Sequence, residues 1–85
     1  MSNDRVLVKL YVPKMDLQYD IFLPLNRTIN DIIVLLSRAI NEFVGGEYDP
    51  EKTPMLFDKS TAKLFDVNST VIETTIRNGT ELVLI

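Results

Sequence analysis

Over residues 6–12 every second side chain is apolar: Val6, Val8, Leu10 and Val12 fall on one side, and Leu7, Lys9 and Tyr11 on the other. An alternation of this length, rich in β-branched types, predicts a strand with one face against a core. Pro13-Lys14-Met15-Asp16 interrupts it, because proline has no N–H to give to a central ladder. Leu17, Tyr19, Ile21 and Leu23 then resume the alternation, with Gln18, Asp20 and Phe22 opposite, and Pro24 closes the run. Two such strands joined by a short polar connection predict a hairpin.

From Ile29 the period changes. Ile29, Ile32, Ile33, Leu36, Ile40 and Phe43 have the spacing of one buried helical face, flanked by Ala39 and Val44, with Asn30, Ser37, Arg38 and Asn41 opposite. Thr28 stands at the N-cap, and Asp31 holds the capping-box place, where a carboxylate also suits the positive end of the helix dipole. Gly45-Gly46 supplies a left-handed stop. Asp49-Pro50 and Thr53-Pro54 mark a polar loop, Met55-Leu56-Phe57 a short strand, and Lys63-Leu64-Phe65 a brief return strand.

Two readings compete for the stretch from Thr70 to Gly79. Thr70 and Glu73 form a capping box that would open a single helical turn with Val71 pointing inward. Ile72, Thr74 and Ile76 also alternate, and Asn78-Gly79 is a strong hairpin signal, so pattern alone predicts a terminal hairpin over 71–85. Residues 81–85 form a strand under either reading, with Leu82 and Leu84 facing one way and Val83 and Ile85 the other. That strand is expected centrally, beside the first, because an edge run of Leu-Val-Leu-Ile would invite aggregation. The fold class is therefore α+β: a mixed sheet of four to five strands curled round one main helix, a β-grasp. With 85 residues against about 150 for an average domain, residues 1–85 form one domain, the first five being a disordered N-terminus.

Composition narrows the chemistry. A chain that is 46% hydrophobic and 25% charged matches an ordinary globular protein rather than a disordered one. Having no cysteine, it has no disulfide scaffold, thiolate zinc site or cysteine nucleophile; having no histidine, it has no imidazole triad. A net charge of −3 with unclustered basic residues argues against a nucleic-acid surface. No apolar run approaches the roughly 20 residues of a membrane span, and no signal-peptide pattern follows Met1, so a cytoplasmic protein without membrane insertion is expected. Asp16 and Asp20, Asp49 and Glu51, and Asp58 and Asp66 all stand beside turn residues, where solvated acids are the rule, rather than in a sheltered acid/base pair. Gly45-Gly46 follows a helix, whereas phosphate-cradling glycines precede one. No enzymatic activity, catalytic residue, metal or cofactor is expected.

Val6 through Ile85 resembles ubiquitin, most densely over 63–65 and 70–84. The resemblance gives Val71 and Ile76 the inward positions of an irregular connection, Leu82 and Leu84 those of the last strand, and makes Asn78-Gly79 the turn before it. It thereby displaces the pattern-only hairpin. Ubiquitin-type modifiers and sulfur carriers finish in a flexible Gly-Gly tail, whereas this sequence stops at Ile85 and its Gly-Gly is internal. Because attack on the terminal carboxylate needs a free, extended segment, conjugation is not expected. Ile76-Arg77-Asn78-Gly79 and Leu82-Val83-Leu84-Ile85 are similar to the YukD/EsaB-type small proteins that accompany bacterial type VII (WXG-type) secretion. That resemblance implies a non-enzymatic cytosolic accessory with a protein partner, a component of a membrane-bound secretion complex. A monomer is favoured. The alternatives are a ubiquitin-like modifier or sulfur carrier, and a scaffold or adaptor domain of an unrelated system.

The ubiquitin-like alignment also turns Leu56, Val83 and Ile85 away from the helix, with Leu7 on the same outer face and Lys9 and Lys63 at the rim. Contiguous exposed apolar surface marks interaction sites, so these four are the expected partner-binding patch. Tyr11 and Phe22 form a second outward pair, read as a stabilising cross-strand contact. Val34 and Leu35 lie off the buried helical face, as ordinary surface apolar residues.

Overall fold

The computed structural model describes residues 4–45 and 54–85. β1 (Arg5–Val12) and β2 (Leu17–Pro24) pair antiparallel, with Val8 opposite Ile21 and Val12 opposite Leu17. Val6, Val8, Leu10 and Val12 are buried, as the alternation requires. A 3-10 turn at Pro13–Met15 joins the strands, and Asp16 closes it at φ 50°, donating its N–H to the Pro13 carbonyl at 3.0 Å. Aspartate is one of the few side chains that tolerate this left-handed backbone. The start of the chain departs from expectation. Arg5 already pairs with Pro24, and the Asp4 carbonyl accepts from Leu25 N–H at 2.8 Å, so residues 4 and 5 are tied into the sheet rather than disordered.

α1 (Ile29–Phe43) starts where the cap predicts, the Thr28 hydroxyl oxygen accepting from Asp31 N–H at 3.1 Å. Ile29, Ile32, Ile33, Leu36 and Ile40 are buried on one side of it. Phe43 is not: it is 72% exposed, although its angular position is that of the buried face. The Phe43 ring stacks on Tyr19 of the edge strand β2, ring centroids 6.4 Å apart, rather than entering the core. Gly45 takes the left-handed conformation at φ +70°, whereas Gly46, Asp49-Pro50, Glu51 and Thr53 lie outside the described residues.

β3 (Leu56–Asp58) and β4 (Glu81–Leu84) complete a four-stranded sheet of order β2-β1-β4-β3. β4 is parallel to β1 and antiparallel to β3, the central position its apolar sequence demanded. The expected return strand shrinks to one bridge, Phe57 to Leu64. The chain reaches it through a tight loop in which the Asp58 carboxylate accepts from Ser60 and Thr61 N–H at 2.8 and 3.2 Å.

The connection into β4 is a 3-10 turn, Val71–Glu73, and not a hairpin strand. Val71 and Ile76 are both fully buried. Their odd separation explains the outcome, since in a strand they would face opposite sides. Thr70 N–H donates to Glu73 Oε1 at 2.8 Å, the carboxylate half of the capping box read from the sequence, and the Thr70 hydroxyl donates to the same oxygen at 2.8 Å. At Asn78-Gly79 the chain turns with Gly79 at φ +89°, and Thr80 N–H closes on the Arg77 carbonyl at 3.0 Å. Asn78 Oδ1 accepts from Leu7 N–H at 2.8 Å, fastening this turn to β1.

The hydrogen bonds from Thr70 hold the Glu73 carboxyl below the usual carboxylate range. A depressed native pKa contributes stability at neutral pH that is lost as the pH falls through that native value. Urea midpoints taken from about pH 7 down to about pH 3 should therefore drop less for Glu73→Gln than for the parent chain. Equal acid sensitivity would show that the capping carboxylate carries no part of the pH dependence.

Candidate interaction surface

Alternation along each strand sends one set of side chains to the sheet face opposite α1, and the register sorts that set into rows. One row crosses the sheet: Leu64, Phe57, Val83, Tyr11 and Gln18 are successive partners from the β3 side to β2. Met55 and Ile85 form the next row, exchanging backbone hydrogen bonds at 2.7 and 2.9 Å. On the other side of the first row lies a charged one, with Lys9 between Asp20 and Glu81. Lys59 joins it, its Nζ 3.4 Å from Glu81 Oε2 and 5.8 Å from the Tyr11 ring centroid. Leu7 and Phe22 form a last row beyond the charges.

This banding corrects the expected patch. Leu56 is 2% exposed and belongs to the core, paired with Leu84 under the helix. Its neighbour Phe57 takes the outward position, because a shift of one residue moves a strand side chain to the other face. Val83 does face outward, but it is only 8% exposed, flanked by Phe57 and Tyr11. Ile85 is open at 53%. Leu7 is exposed too, yet it stands four residues before Tyr11 along β1, about 13 Å away, with the Lys9 row between. The structure therefore brings Val83 and Ile85 together, adds Met55, Phe57, Tyr11 and Leu64, and leaves Leu7 in a separate strip. Met55 and Leu64 could have been found from their open apolar character beside turn residues.

The remaining chemistry is sparse. Tyr19, whose phenol burial pushes up, and Glu73 lie off this surface. Asp58 and Asp66 accept from backbone N–H groups of their own turns. Among the described residues no group of three or more acidic side chains is placed to hold a metal ion, and no helix is long and apolar enough to cross a membrane.

With the sheet order β2-β1-β4-β3, one helix across a single face and a 3-10 connection before the last strand, the architecture can be matched to solved structures. An EccD5 ubiquitin-like domain from Mycobacterium xenopi superimposes with a TM-score of 0.77 at 20% identity, over 95% of this chain and 92% of that one. The chain has the ubiquitin-like fold. A ubiquitin-like domain of the Mycobacterium tuberculosis type VII secretion system protein ECCD1 matches at TM-score 0.73 and 13% identity, over 100% and 99% of the two chains. A chain of an ESX-5 inner membrane complex matches at TM-score 0.79 and 17% identity over 96% of this chain, which spans only 21% of that one. The fold is not confined to secretion: a chain from a toluene 4-monooxygenase HD complex shares it at TM-score 0.75 and 14% identity, over 94% and 95%. No protein-family profile and no curated protein sequence matches this chain.

Proposed function

We propose that this ubiquitin-like domain is a non-enzymatic protein-interaction module, a cytoplasmic accessory of a bacterial type VII secretion system that is not itself conjugated. The observation that carries this reading is the apolar ground on the outer sheet face: Val83 at its centre, Phe57 and Tyr11 beside it, and Met55, Leu64 and Ile85 open around it. Such a surface, half-buried at the centre and exposed at the edges, suits a partner that covers it and excludes water. The likeness to ubiquitin-like domains of ECCD1 and of an ESX-5 inner membrane complex supports a secretion component as that partner. The fold's occurrence in a monooxygenase complex favours the second reading, an adaptor of an unrelated assembly using the same face.

The test replaces Met55 and Ile85 together by glutamate. Both are exposed, so the melting temperature should stay within about 2 °C of the parent. Recovery of secretion-complex components by in-cell crosslinking should fall by about tenfold or more, the loss expected when contacts worth about 1.4 kcal/mol are removed and two charges are set in their place. Unchanged crosslinks would exclude this face. Recovery of a different assembly by the parent would favour the adaptor reading, and a native mass shifted by a conjugated or thiocarboxylated end would overturn the non-conjugated one.

A further inference from the structure

At the end of the sheet away from the Met55–Ile85 row, a cleft of about 420 Å³ opens between the start of β1 and the 3-10 connection. That volume lies within the roughly 300–1,000 Å³ of ligand sites. Half-buried Leu25 supplies an aliphatic wall and Ile72, 58% exposed, stands at the mouth, with the buried Val6 and Ile76 behind them. Arg5 and Arg77 line the same cleft, and among the described residues no acidic one does. In a chain of net charge −3 this is a local reversal of sign.

Both guanidinium groups are held before any ligand arrives. Arg77 donates from one terminal nitrogen to the Thr74 and Ile76 carbonyls at 2.8 and 2.7 Å. Arg5 lies over the Phe22 ring, 5.0 Å from its centroid. A guanidinium is a planar fork with five N–H donors, so fixing one edge or one face leaves others to meet a carboxylate in paired fashion. Groups already ordered lose less entropy on binding. Aliphatic walls beside two such forks suit a ligand that carries an alkyl group next to each acid, and they give nothing to a bare inorganic anion.

We propose that this cleft binds an acidic peptide segment of a partner protein, with a carboxylate set against Arg5 and Arg77 and an adjoining aliphatic side chain against Ile72 and Leu25. It is a second site, different in chemistry from the Met55–Ile85 patch and separated from it along the sheet by the charged Lys9 row.

The experiment is an amide NMR titration of the intact chain with a short, end-capped peptide of alternating aspartate and leucine. Controls are the same peptide with lysine for aspartate, the same with serine for leucine, and inorganic phosphate. Saturable shifts are expected at residues 5, 6, 72 and 76–78 with the aspartate–leucine peptide, weakening as salt rises. The lysine peptide should give none, and the serine peptide should bind at least about tenfold more weakly. Arg77→Gln also removes two backbone hydrogen bonds, so Arg5→Gln and Ile72→Ser carry the test; each should weaken binding about tenfold with the melting temperature unchanged. Shifts confined to the Met55–Ile85 face, shifts reproduced by phosphate alone, or full binding by both variants would overturn the proposal. The Met55/Ile85 double variant should bind the peptide as the parent does, which separates this site from the outer face.

Discussion

Leu56→Ala should lower the unfolding free energy by about 3 kcal/mol, within the range measured for buried leucines cut to alanine. In a domain of this size each kcal/mol moves the melting temperature by roughly 4–8 °C, so calorimetry should record a fall of more than about 10 °C. The size of the effect comes from placement. Leu56 sits in a three-residue strand, opposite Leu84 in the strand that closes the sheet, and its side chain is packed in the core. Leu56 is the one buried side chain of β3, so a cavity there weakens the strand's packing against the core as well as its pairing with β4. Phe57→Ala is the internal control. It removes a larger side chain from the outer face and should cost clearly less than Leu56→Ala. Equal losses would mean that the register of β3 is shifted by one residue.

The helix offers the same contrast. Ile40→Ala should cost about 3 kcal/mol, since Ile40 is fully buried and the truncation leaves a void among Ile-rich neighbours. Phe43→Ala, three residues on, should cost no more than about 1 kcal/mol, the worth of its ring stack on Tyr19. Chemical denaturation of the two variants tests which of these side chains the core holds. A Phe43 loss as large as that of Ile40 would place its ring in the core.

These two residues also mark where the sequence stops being legible. Periodicity gave α1 and both strands of the first hairpin because each is long enough to separate a polar side from an apolar one. It gave Phe43 the right angle about the helix axis but not its place against Tyr19 of the edge strand, outside the core. Met55-Leu56-Phe57 offered no contrast at all: three apolar residues in a row leave the inward one undetermined until pairing with β4 chooses Leu56. The stretch from Val71 to Ile76 misled pattern reading because Ile72, Thr74 and Ile76 alternate while the buried pair is Val71 and Ile76. The capping box was the better local guide there, agreeing with the resemblance to ubiquitin. The outer patch was half legible: Val83 and Ile85 follow from β4 alone, whereas the break between them and Leu7 depends on the row of Lys9, Asp20 and Glu81, which only register assembles. The arginine-lined cleft had no sequence signal, since Arg5 and Arg77 meet only through the crossover that sets β4 beside β1.

That crossover also sets the order of events during synthesis. Until residues 81–84 have been made, β1 has its inner edge bare, and β3 has only the bridge to Leu64. Residues 81–84 are the keystone, arriving late and filling the slot between them. A nascent chain stalled before that point leaves strand edges unsatisfied, the kind of surface that chaperones and proteases meet.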